Sequence, residues 1–224
     1  GQAPLVVGTN GLGTIITNNV AGTGFDIVGG VGPSMKTYQS LGGTWQGISA
    51  TNITHYDQRG YMIFVRGDRN AQAYNASPTV TTLRTKGKVF EPNSNTPPTT
   101  NVGANLFASV GNPYASQIDL TSPGVSKTGN GGNLQDVFYV WDPRVGGVFG
   151  YGIFQTFTRS GGTYNVTPGG GSYPSGTCKT IESGQAFFVH TSGGTGSIAF
   201  NESAKSLGTN LVTRVSPVAL NIAS

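Results

Sequence analysis

The chain has 224 residues, which suits one large β domain or two small ones, and its 36% hydrophobic residues suffice for a sizeable core. Only 10% of the residues are charged, the net charge is +4 and the basic residues form no block, so nucleic acid and charged membrane surfaces are unexpected partners. No apolar stretch approaches the roughly 20 residues that a membrane-spanning helix needs.

The composition predicts an all-β fold. Glycine occurs 36 times without the every-third-residue period of collagen, and Thr, Ser and Asn are abundant. No segment repeats apolar residues at helical spacing for more than about two turns. Because glycine and β-branched residues both disfavour helix, we expect an antiparallel, jelly-roll-like β-sandwich with glycine-rich turns and little or no helix.

The first third of the chain predicts short strands. Residues 1–34 alternate apolar pieces with Gly and Asn, which indicates a linker or a strand-exchange segment ahead of the main module. Residues 35–41 predict the first strand of that module. The run Tyr61 to Val65 is continuously apolar and ends before Gly67 and Asp68, which is typical of a central strand covered on both faces.

The next segment has the clearest alternation in the chain. Residues 80–90 predict a half-buried strand whose outer face carries Arg84, Lys86 and Lys88. This basic face is the one feature that would support nucleic-acid binding, which would then depend strongly on salt. Residues 91–101 are rich in Pro, Asn and Thr and predict a loop, which is also the best candidate for an internal boundary.

The second half predicts further strands separated by glycine-rich loops. A second central strand is expected at residues 184–190, whose apolar run matches that of residues 61–65. The other predicted strands cover residues 104–110, 118–120, 136–141, 147–158 and 197–200, and the predicted loops cover residues 122–133 and 167–177. Residues 211–222 fit a strand or a linker. We therefore predict a β-sandwich module over residues 35–215 and a tail or linker over residues 216–224.

The sequence lacks the residue patterns of a catalytic or metal site. His55 and His190 are the only histidines and neither has metal-ligand spacing around it. The nine acidic residues show no spacing that marks a catalytic pair, although Asp136 and Asp142 are candidates to hold an ion together with backbone carbonyls. Cys178 has no histidine partner in sequence and is expected to be inert. We therefore predict a non-enzymatic protein without a cofactor or metal.

Two tryptophans are the candidate ligand-binding residues. Trp45 and Trp141 would provide ring surfaces on which a sugar stacks, as in carbohydrate-binding β-sandwiches. For Trp141 a core position is the favoured interpretation, because the residue closes an apolar strand. The tripeptide Arg66-Gly67-Asp68 matches a motif that integrins recognise, but Gly-Asp after a strand is also common turn chemistry, and the turn is the favoured interpretation.

The order of several runs resembles a module of large secreted Bacteroidetes surface proteins, which are adhesin-like and exported by the type nine secretion system. The runs that carry this resemblance are Trp45, Gly60 to Arg69, Thr82 to Gly87, Gly111 to Tyr114 with Ile118 and Asp119, Tyr139 to Pro143, Ser183 to Val189 and Phe200 to Lys205. They cover about residues 35–215. Because these motifs are structural, the resemblance implies an extracellular location and a surface role and identifies no site residue.

Together these observations predict an extracellular structural or adhesive module of a bacterial surface protein, which either presents loops for adhesion or assembles into a fibre. Its expected partners are other copies of itself, adjacent domains of the same polypeptide, and surface glycans. The alternative is a carbohydrate-binding or carbohydrate-active β-sandwich. The chain begins without Met and without a signal peptide, so we expect a mature or excised fragment of a longer protein.

Overall fold

The computed structural model describes residues 3–4, 13–28, 32–55, 58–69, 77, 79–83, 85–86, 97–128, 133–146, 152–173 and 176–208. Within these ranges the protein consists of seventeen strands and one short 3-10 helix, Glu202–Ala204, and every strand pair is antiparallel. The predicted all-β fold is confirmed, as expected for a chain so rich in glycine and β-branched residues. No helix in the described part of the chain is long and apolar enough to cross a membrane.

The chain divides into two compact units, residues 1–91 and residues 92–224. The division falls at the start of the Pro/Asn/Thr-rich segment in which we predicted an internal boundary. It does not coincide with the predicted boundary between residues 34 and 35, because Ile16 and Met35 belong to one apolar cluster and the Ser34 amide donates to the Thr17 carbonyl at 2.9 Å. The predicted tail, residues 216–224, lies outside the described residues.

The first unit contains five strands, which are β1 (Ala3–Pro4), β2 (Met35–Gln39), β3 (Thr44–Gly47), β4 (Tyr61–Ile63) and β5 (Thr85–Lys86). Three of them form a sheet with the order β3-β2-β4, and β1 pairs with β5 in a separate two-stranded sheet. The main apolar cluster consists of Ile16, Phe25, Met35 and Ile48, with Tyr61 and Ile63 packed against it.

Two predictions for this unit are wrong. The apolar run at residues 61–65 is not a central strand: β4 is three residues long and lies at the sheet edge, and Phe64 and Val65 are 43% and 46% exposed. The predicted half-buried strand over residues 80–90 is not buried where it is described, since Val80 and Leu83 are 85% and 40% exposed. Only β5 forms a strand there, and Arg84 and Lys88 lie outside the described residues.

The second unit is a β-sandwich. Its strands are β6 (Thr99–Val102), β7 (Phe107–Gly111), β8 (Gln117–Asp119), β9 (Val125–Thr128), β10 (Val137–Asp142), β11 (Ile153–Ser160), β12 (Thr163–Thr167), β13 (Gly176–Cys178), β14 (Thr180–Ile181), β15 (Ala186–His190), β16 (Gly196–Phe200) and β17 (Lys205–Ser206). A six-stranded sheet has the order β13-β12-β11-β10-β15-β7, and two three-stranded sheets have the orders β14-β8-β17 and β6-β16-β9.

The core of this unit lies between the large sheet and the two small ones. Alternate residues of the large sheet, such as Phe138 and Phe157, are fully buried and share one cluster with Ile118, Ile198 and Phe200 of the small sheets. Period-two alternation explains this arrangement, because successive side chains of a strand point to opposite faces. The predicted β-sandwich is therefore confirmed for residues 92–208, as far as they are described.

The predicted strands of the second unit agree with the structure better than the predicted loops do. The strand predicted at residues 184–190 is confirmed as a central strand, since β15 lies between β10 and β7. The predicted strand at residues 136–141 corresponds to β10. The predicted loops over residues 91–101 and 122–133 are partly wrong, because they contain β6 and β9, which both pair with β16. Residues 147–151 and the segment 211–222 lie outside the described residues.

Two buried polar side chains fix the turn at residues 168–173 to the large sheet. The Gln155 side-chain amide donates to the carbonyls of Pro168 at 2.8 Å, Gly170 at 3.2 Å and Tyr173 at 2.9 Å. The Asp142 carboxylate accepts from the backbone amide of Ser172. Both residues are fully buried, and these bonds compensate for part of the hydration that their side chains lose, while Gln155 Oε1 has no hydrogen-bond partner among the described residues.

Candidate binding face

The large sheet of the second unit has a second face, opposite the core, and this face is rich in aromatic side chains. Along β10, Phe138 and Val140 are fully buried, whereas Tyr139 and Trp141 are half-buried. Alternation therefore directs the two rings away from the core. The register places Tyr139 opposite Phe188 of β15 and Trp141 opposite Phe154 of β11. Directly opposite residues of an antiparallel pair share a face, so all four rings lie on the same side.

The pairing of β7 with β15 extends this set. Phe107 lies opposite His190, and Ser109 lies opposite Phe188. We call the resulting surface the aromatic face, and it consists of Phe107, Tyr139, Trp141, Phe154, Phe188 and His190. Four adjacent strands contribute to it, and strands lie about 4.8 Å apart, so it spans about 14 Å across the sheet.

The rings of the aromatic face support one another. Phe107 and Tyr139 have centroids 5.5 Å apart at an interplanar angle of 68°, and Phe107 also lies 4.3 Å from the His190 ring. Phe154 contacts Trp141 at 5.0 Å and Phe188 at 5.5 Å, both edge to face. Each such pair contributes about 0.5–1.5 kcal/mol beyond its burial, so the rings are held in defined orientations rather than rotating freely.

The aromatic face is accessible. Phe107 and Phe154 are each 37% exposed, and Leu207 is the one other exposed large hydrophobic residue among the described residues of the second unit. Phe188, at the centre of the set, is 9% exposed because Phe154 packs against it. Clustered exposed aromatic residues on an otherwise well-packed sheet are typical of interaction surfaces.

Beyond the aromatic rings, the same face of the sheet carries hydroxyl and amide groups. The register aligns Thr156 with Thr167, and Thr158 with Asn165, which lies opposite Thr177 on β13. We call this neighbouring surface the threonine strip, and it consists of Thr156, Thr158, Thr163, Asn165, Thr167 and Thr177. Most of these side chains are exposed. Aromatic face and threonine strip together cover all six strands.

The strand residues that point to this side of the sheet are uncharged. The six strands contain two residues with charged side chains, Asp142 and Arg159, and both belong to the core-facing set. Asp142 is fully buried and holds the turn at residues 168–173, and the Arg159 guanidinium lies 5.2 Å from the centroid of the buried Tyr164 ring. On the outer side, His190 is the one titratable side chain of these strands besides Tyr139, and its Nδ1 lies 2.7 Å from Gln135 Oε1.

The structure separates the two tryptophans that the sequence singled out. Trp45 belongs to the first unit, where it lies opposite Tyr38 with ring centroids 5.6 Å apart. Trp141 belongs to the aromatic face of the second unit, so the favoured interpretation of Trp141 as a core residue is wrong. The strand is apolar on both faces, and its core positions are taken by Phe138 and Val140.

Sequence reasoning missed the other members of the aromatic face. Phe107, Tyr139, Phe154, Phe188 and His190 lie on four strands whose order along the sheet does not follow their order in the chain. The available signal was the alternation in residues 137–142, which places aromatic residues on both faces of one strand. The register between strands, which brings the other rings beside Tyr139, cannot be read from one sequence.

The two acidic residues that we considered as ion ligands are not brought together by the fold. Asp136 and Asp142 are six residues apart along an extended segment, which corresponds to about 20 Å. Asp136 instead accepts hydrogen bonds from Lys127 Nζ at 2.8 Å and Tyr164 Oη at 2.6 Å. Burial raises the pKa of Asp136, but these bonds outweigh burial and the net pKa lies below the ordinary value. Within the described ranges, no three residues among His, Cys, Asp and Glu come together as a metal site.

The remaining candidate groups have structural contacts. The Gly67 carbonyl accepts from the Ile15 amide at 3.0 Å, and Asp68 forms a bridge with Thr14, so the Arg-Gly-Asp tripeptide is tied into the first unit by backbone pairing. His55 Nε2 lies 2.8 Å from the Ala50 carbonyl oxygen. Cys178 is half-buried and packs against the core of the second unit.

Comparison of the chain with protein-family models, with curated proteins and with solved structures finds no match.

Proposed function

We propose that the protein is a non-enzymatic, extracellular binding module of a bacterial surface protein, which adheres to its ligand through the aromatic face. The observation that carries this proposal is the set of six ring side chains on four adjacent strands, with no charged residue among the strand residues that point to that side of the sheet. A monomeric domain rarely exposes such a surface without using it for binding.

The location of these rings on a sheet supports an adhesive role. Side chains on paired strands are positioned more precisely than side chains on loops, and edge-to-face contacts restrict their rotation further. Little conformational entropy is therefore lost when a ligand covers them, and the favourable contacts translate more fully into affinity. The extracellular location and the surface role are inferred from the low charge, the abundance of Thr, Asn and Gly, and the resemblance to secreted Bacteroidetes modules.

The experiment compares the two tryptophans. Beads that carry the wild-type chain, Trp141→Ala or Trp45→Ala are applied to surfaces printed with neutral polysaccharides, acidic polysaccharides, collagen and mucin. Near-UV circular dichroism checks that each variant is folded. We expect Trp141→Ala to reduce adhesion at least tenfold on whichever surface holds the wild type, and Trp45→Ala to leave it unchanged. Equal adhesion of wild type and Trp141→Ala on every surface would refute the proposal.

An edge of the large sheet favours a second candidate, a structural role in a fibre. Within the described residues β13 is a terminal strand of that sheet, and two of its three residues, Gly176 and Thr177, are exposed. An exposed edge strand is a template for pairing with a strand from another copy. Electron microscopy of the purified chain tests this role, since strand addition would produce filaments and an adhesive module would remain as separate particles.

A further inference from the structure

The chemistry of the sheet face identifies the class of ligand, an inference that rests on the function proposed above. We infer that the aromatic face and the threonine strip together bind a neutral polysaccharide, which lies across the strands of the large sheet. Three properties of this face lead to that class: its rings, its hydroxyl and amide groups, and its lack of charge.

The rings match the apolar part of a sugar. A pyranose presents C–H groups on its faces and hydroxyl groups around its edge, so its faces pack on aromatic rings while its edge remains available for hydrogen bonds. Trp141 of β10 and Phe154 of β11 form one edge-to-face pair, and Tyr139 of β10 forms another with Phe107 of β7, on the other side of β15. The aromatic face therefore offers stacking positions for more than one sugar unit, in keeping with a polymeric ligand.

The threonine strip matches the polar part. A threonine hydroxyl both donates and accepts hydrogen bonds, and the Asn165 amide donates through its nitrogen and accepts through its oxygen. Sugar hydroxyls have the same dual character, so each finds a partner on this surface. Thr158, Asn165 and Thr177 form an exposed row across three adjacent strands, at intervals of about 4.8 Å. The six strands together span about 24 Å, which is long enough for a short oligosaccharide.

The absence of charge argues against anionic ligands, and the composition of this face argues against self-association and glycoside hydrolysis. An acidic polysaccharide, a nucleic acid or a phosphorylated lipid would place its anionic groups against rings and hydroxyls without a cationic partner, at a cost in hydration. A second copy of the chain is a poorer match, because lasting self-interfaces are strongly apolar and half of this face is Thr and Asn. No carboxylate lies on the aromatic face or threonine strip, so nothing on this surface supplies the paired acids of glycoside hydrolysis.

Affinity electrophoresis of the whole chain tests the inference. Native gels contain one of a panel of neutral polysaccharides (xyloglucan, mixed-linkage β-glucan, laminarin, mannan, starch) or an acidic one (alginate, heparin, hyaluronan). We expect at least one neutral polysaccharide to retard the protein, with little change on addition of salt. Trp141→Ala should weaken that retardation at least tenfold, while the matched variant Trp45→Ala should match the wild type.

Variants of the threonine strip keep the test independent of ring packing. Thr158→Val keeps the shape of an exposed side chain and removes its hydroxyl, and Asn165→Ala removes an exposed amide. Each should weaken retardation about three- to tenfold without lowering the unfolding temperature. Retardation that neither variant changes would show that the threonine strip is not part of the site and would overturn the inference.

The remaining outcomes separate this inference from the proposed function. Retardation by none of the neutral polysaccharides overturns the inference. If Trp141→Ala nevertheless loses adhesion to an acidic polysaccharide or to a protein-coated surface, the proposed function stands with a different ligand. If Trp141→Ala instead abolishes self-association of the wild type, as measured by analytical ultracentrifugation, the face is a contact between copies, and both the inference and the adhesive role fail.

Discussion

At the scale of single residues, Asp136 shows how a polar group connects the large sheet of the second unit to one of its small sheets. Its carboxylate lies just before β10, accepts from Lys127 of β9 and from Tyr164 of β12, and lies 3.9 Å from the Arg159 guanidinium. Tyr164 is fully buried. Burial is the main cause that raises the pKa of its phenol, and the hydrogen bond to Asp136 raises it further. Asp136 thus connects the segment before β10 with β9, β11 and β12.

We predict that Asp136→Asn destabilises the protein in a pH-dependent manner. The pKa of Asp136 is lower in the folded state than in the unfolded state, so its stabilisation is present above the unfolded pKa of about 4 and is lost as pH falls through the folded pKa. Because its side chain is 40% exposed, the expected loss at pH 7 is only about 1 kcal/mol. Urea unfolding at pH 7 and at a pH below both pKa values measures it.

A double-mutant cycle with Tyr164→Phe provides the control, because that change removes only the hydroxyl partner. We expect the effects of Asp136→Asn and Tyr164→Phe to be less than additive at pH 7 and nearly additive in acid. Some acid sensitivity should remain in Asp136→Asn, since the Asp119 carboxyl also has a lowered pKa: burial raises it, but bonds from Lys179 and Thr121 outweigh burial. Additive effects at both pH values would contradict the assigned bond.

A second prediction at this scale concerns Gly124, the residue before β9. A side chain there would overlap the backbone nitrogen of Ala204 and would lie 2.6 Å from Asn201 Oδ1. The Gly124 carbonyl also accepts from the Asn201 amide at 2.9 Å. We expect Gly124→Ala to lower the free energy of unfolding by about 1–3 kcal/mol, since a well-packed site must shift to make room.

Gly162, in the turn between β11 and β12, is the matched control for Gly124. A Cβ at that position would meet nothing within 4 Å, and its φ lies outside the left-handed region. Gly162→Ala should therefore change stability by less than about 0.5 kcal/mol. Thermal unfolding of both variants measures the difference, and equal unfolding temperatures would show that the contact between Gly124 and residues 201–204 is not tight.

At the scale of elements, Gln155 of β11 determines how the turn at residues 168–173 meets the sheet. We predict that Gln155→Glu destabilises the protein by about 3–5 kcal/mol at pH 7, because a buried carboxylate would face three carbonyls without a donor. Such a carboxyl has a raised pKa in the folded state, so the deficit should shrink as pH falls and its proton becomes able to donate. Urea unfolding at pH 7 and pH 5 measures this trend.

Asn165→Asp is the matched control for Gln155→Glu. It makes the same change from amide to acid on the neighbouring strand, but at an exposed position of the threonine strip. We expect it to alter stability by less than about 0.5 kcal/mol at either pH. A Gln155→Glu protein as stable as Asn165→Asp would mean that the turn is not held by the Gln155 amide.

The elements also show what one sequence can predict. The runs at residues 61–65 and 187–189 have the same apolar pattern, yet the second belongs to a central strand and the first overlaps an edge strand. Composition and alternation predict that a strand exists and which residues share a face. They do not identify the neighbouring strands, and these decide whether both faces become covered.

The same limit applies to the binding face. Alternation places Tyr139 and Trp141 on one side of β10, and this could be read directly from the sequence. Whether that side faces the core depends on the partner layer, which explains the wrong interpretation of Trp141. Phe107 and Phe154 join the face only through the register of strands far apart in the chain, β7 with β15 and β10 with β11. Long-range pairing of this kind leaves no local signal.

At the scale of the whole molecule, the two units differ in the size of their apolar cores. The main cluster of the second unit contains twenty buried residues among those described, whereas the clusters of the first unit contain four and two. Among the described residues, eight of the eleven exposed large hydrophobic ones belong to the first unit, including Leu41, Val65 and Val80. Because burial of apolar surface is the dominant stabilising contribution, the first unit should be the less stable of the two.

The two tryptophans allow this difference to be measured in the intact chain, because each unit contains one of them. In Trp141→Phe the fluorescence reports Trp45 and the first unit, and in Trp45→Phe it reports Trp141 and the second unit. We predict that the Trp45 signal changes at a lower urea concentration than the Trp141 signal, and that far-UV circular dichroism of the wild type spans both transitions. Coincident transitions would show instead that the units unfold cooperatively, as one structure.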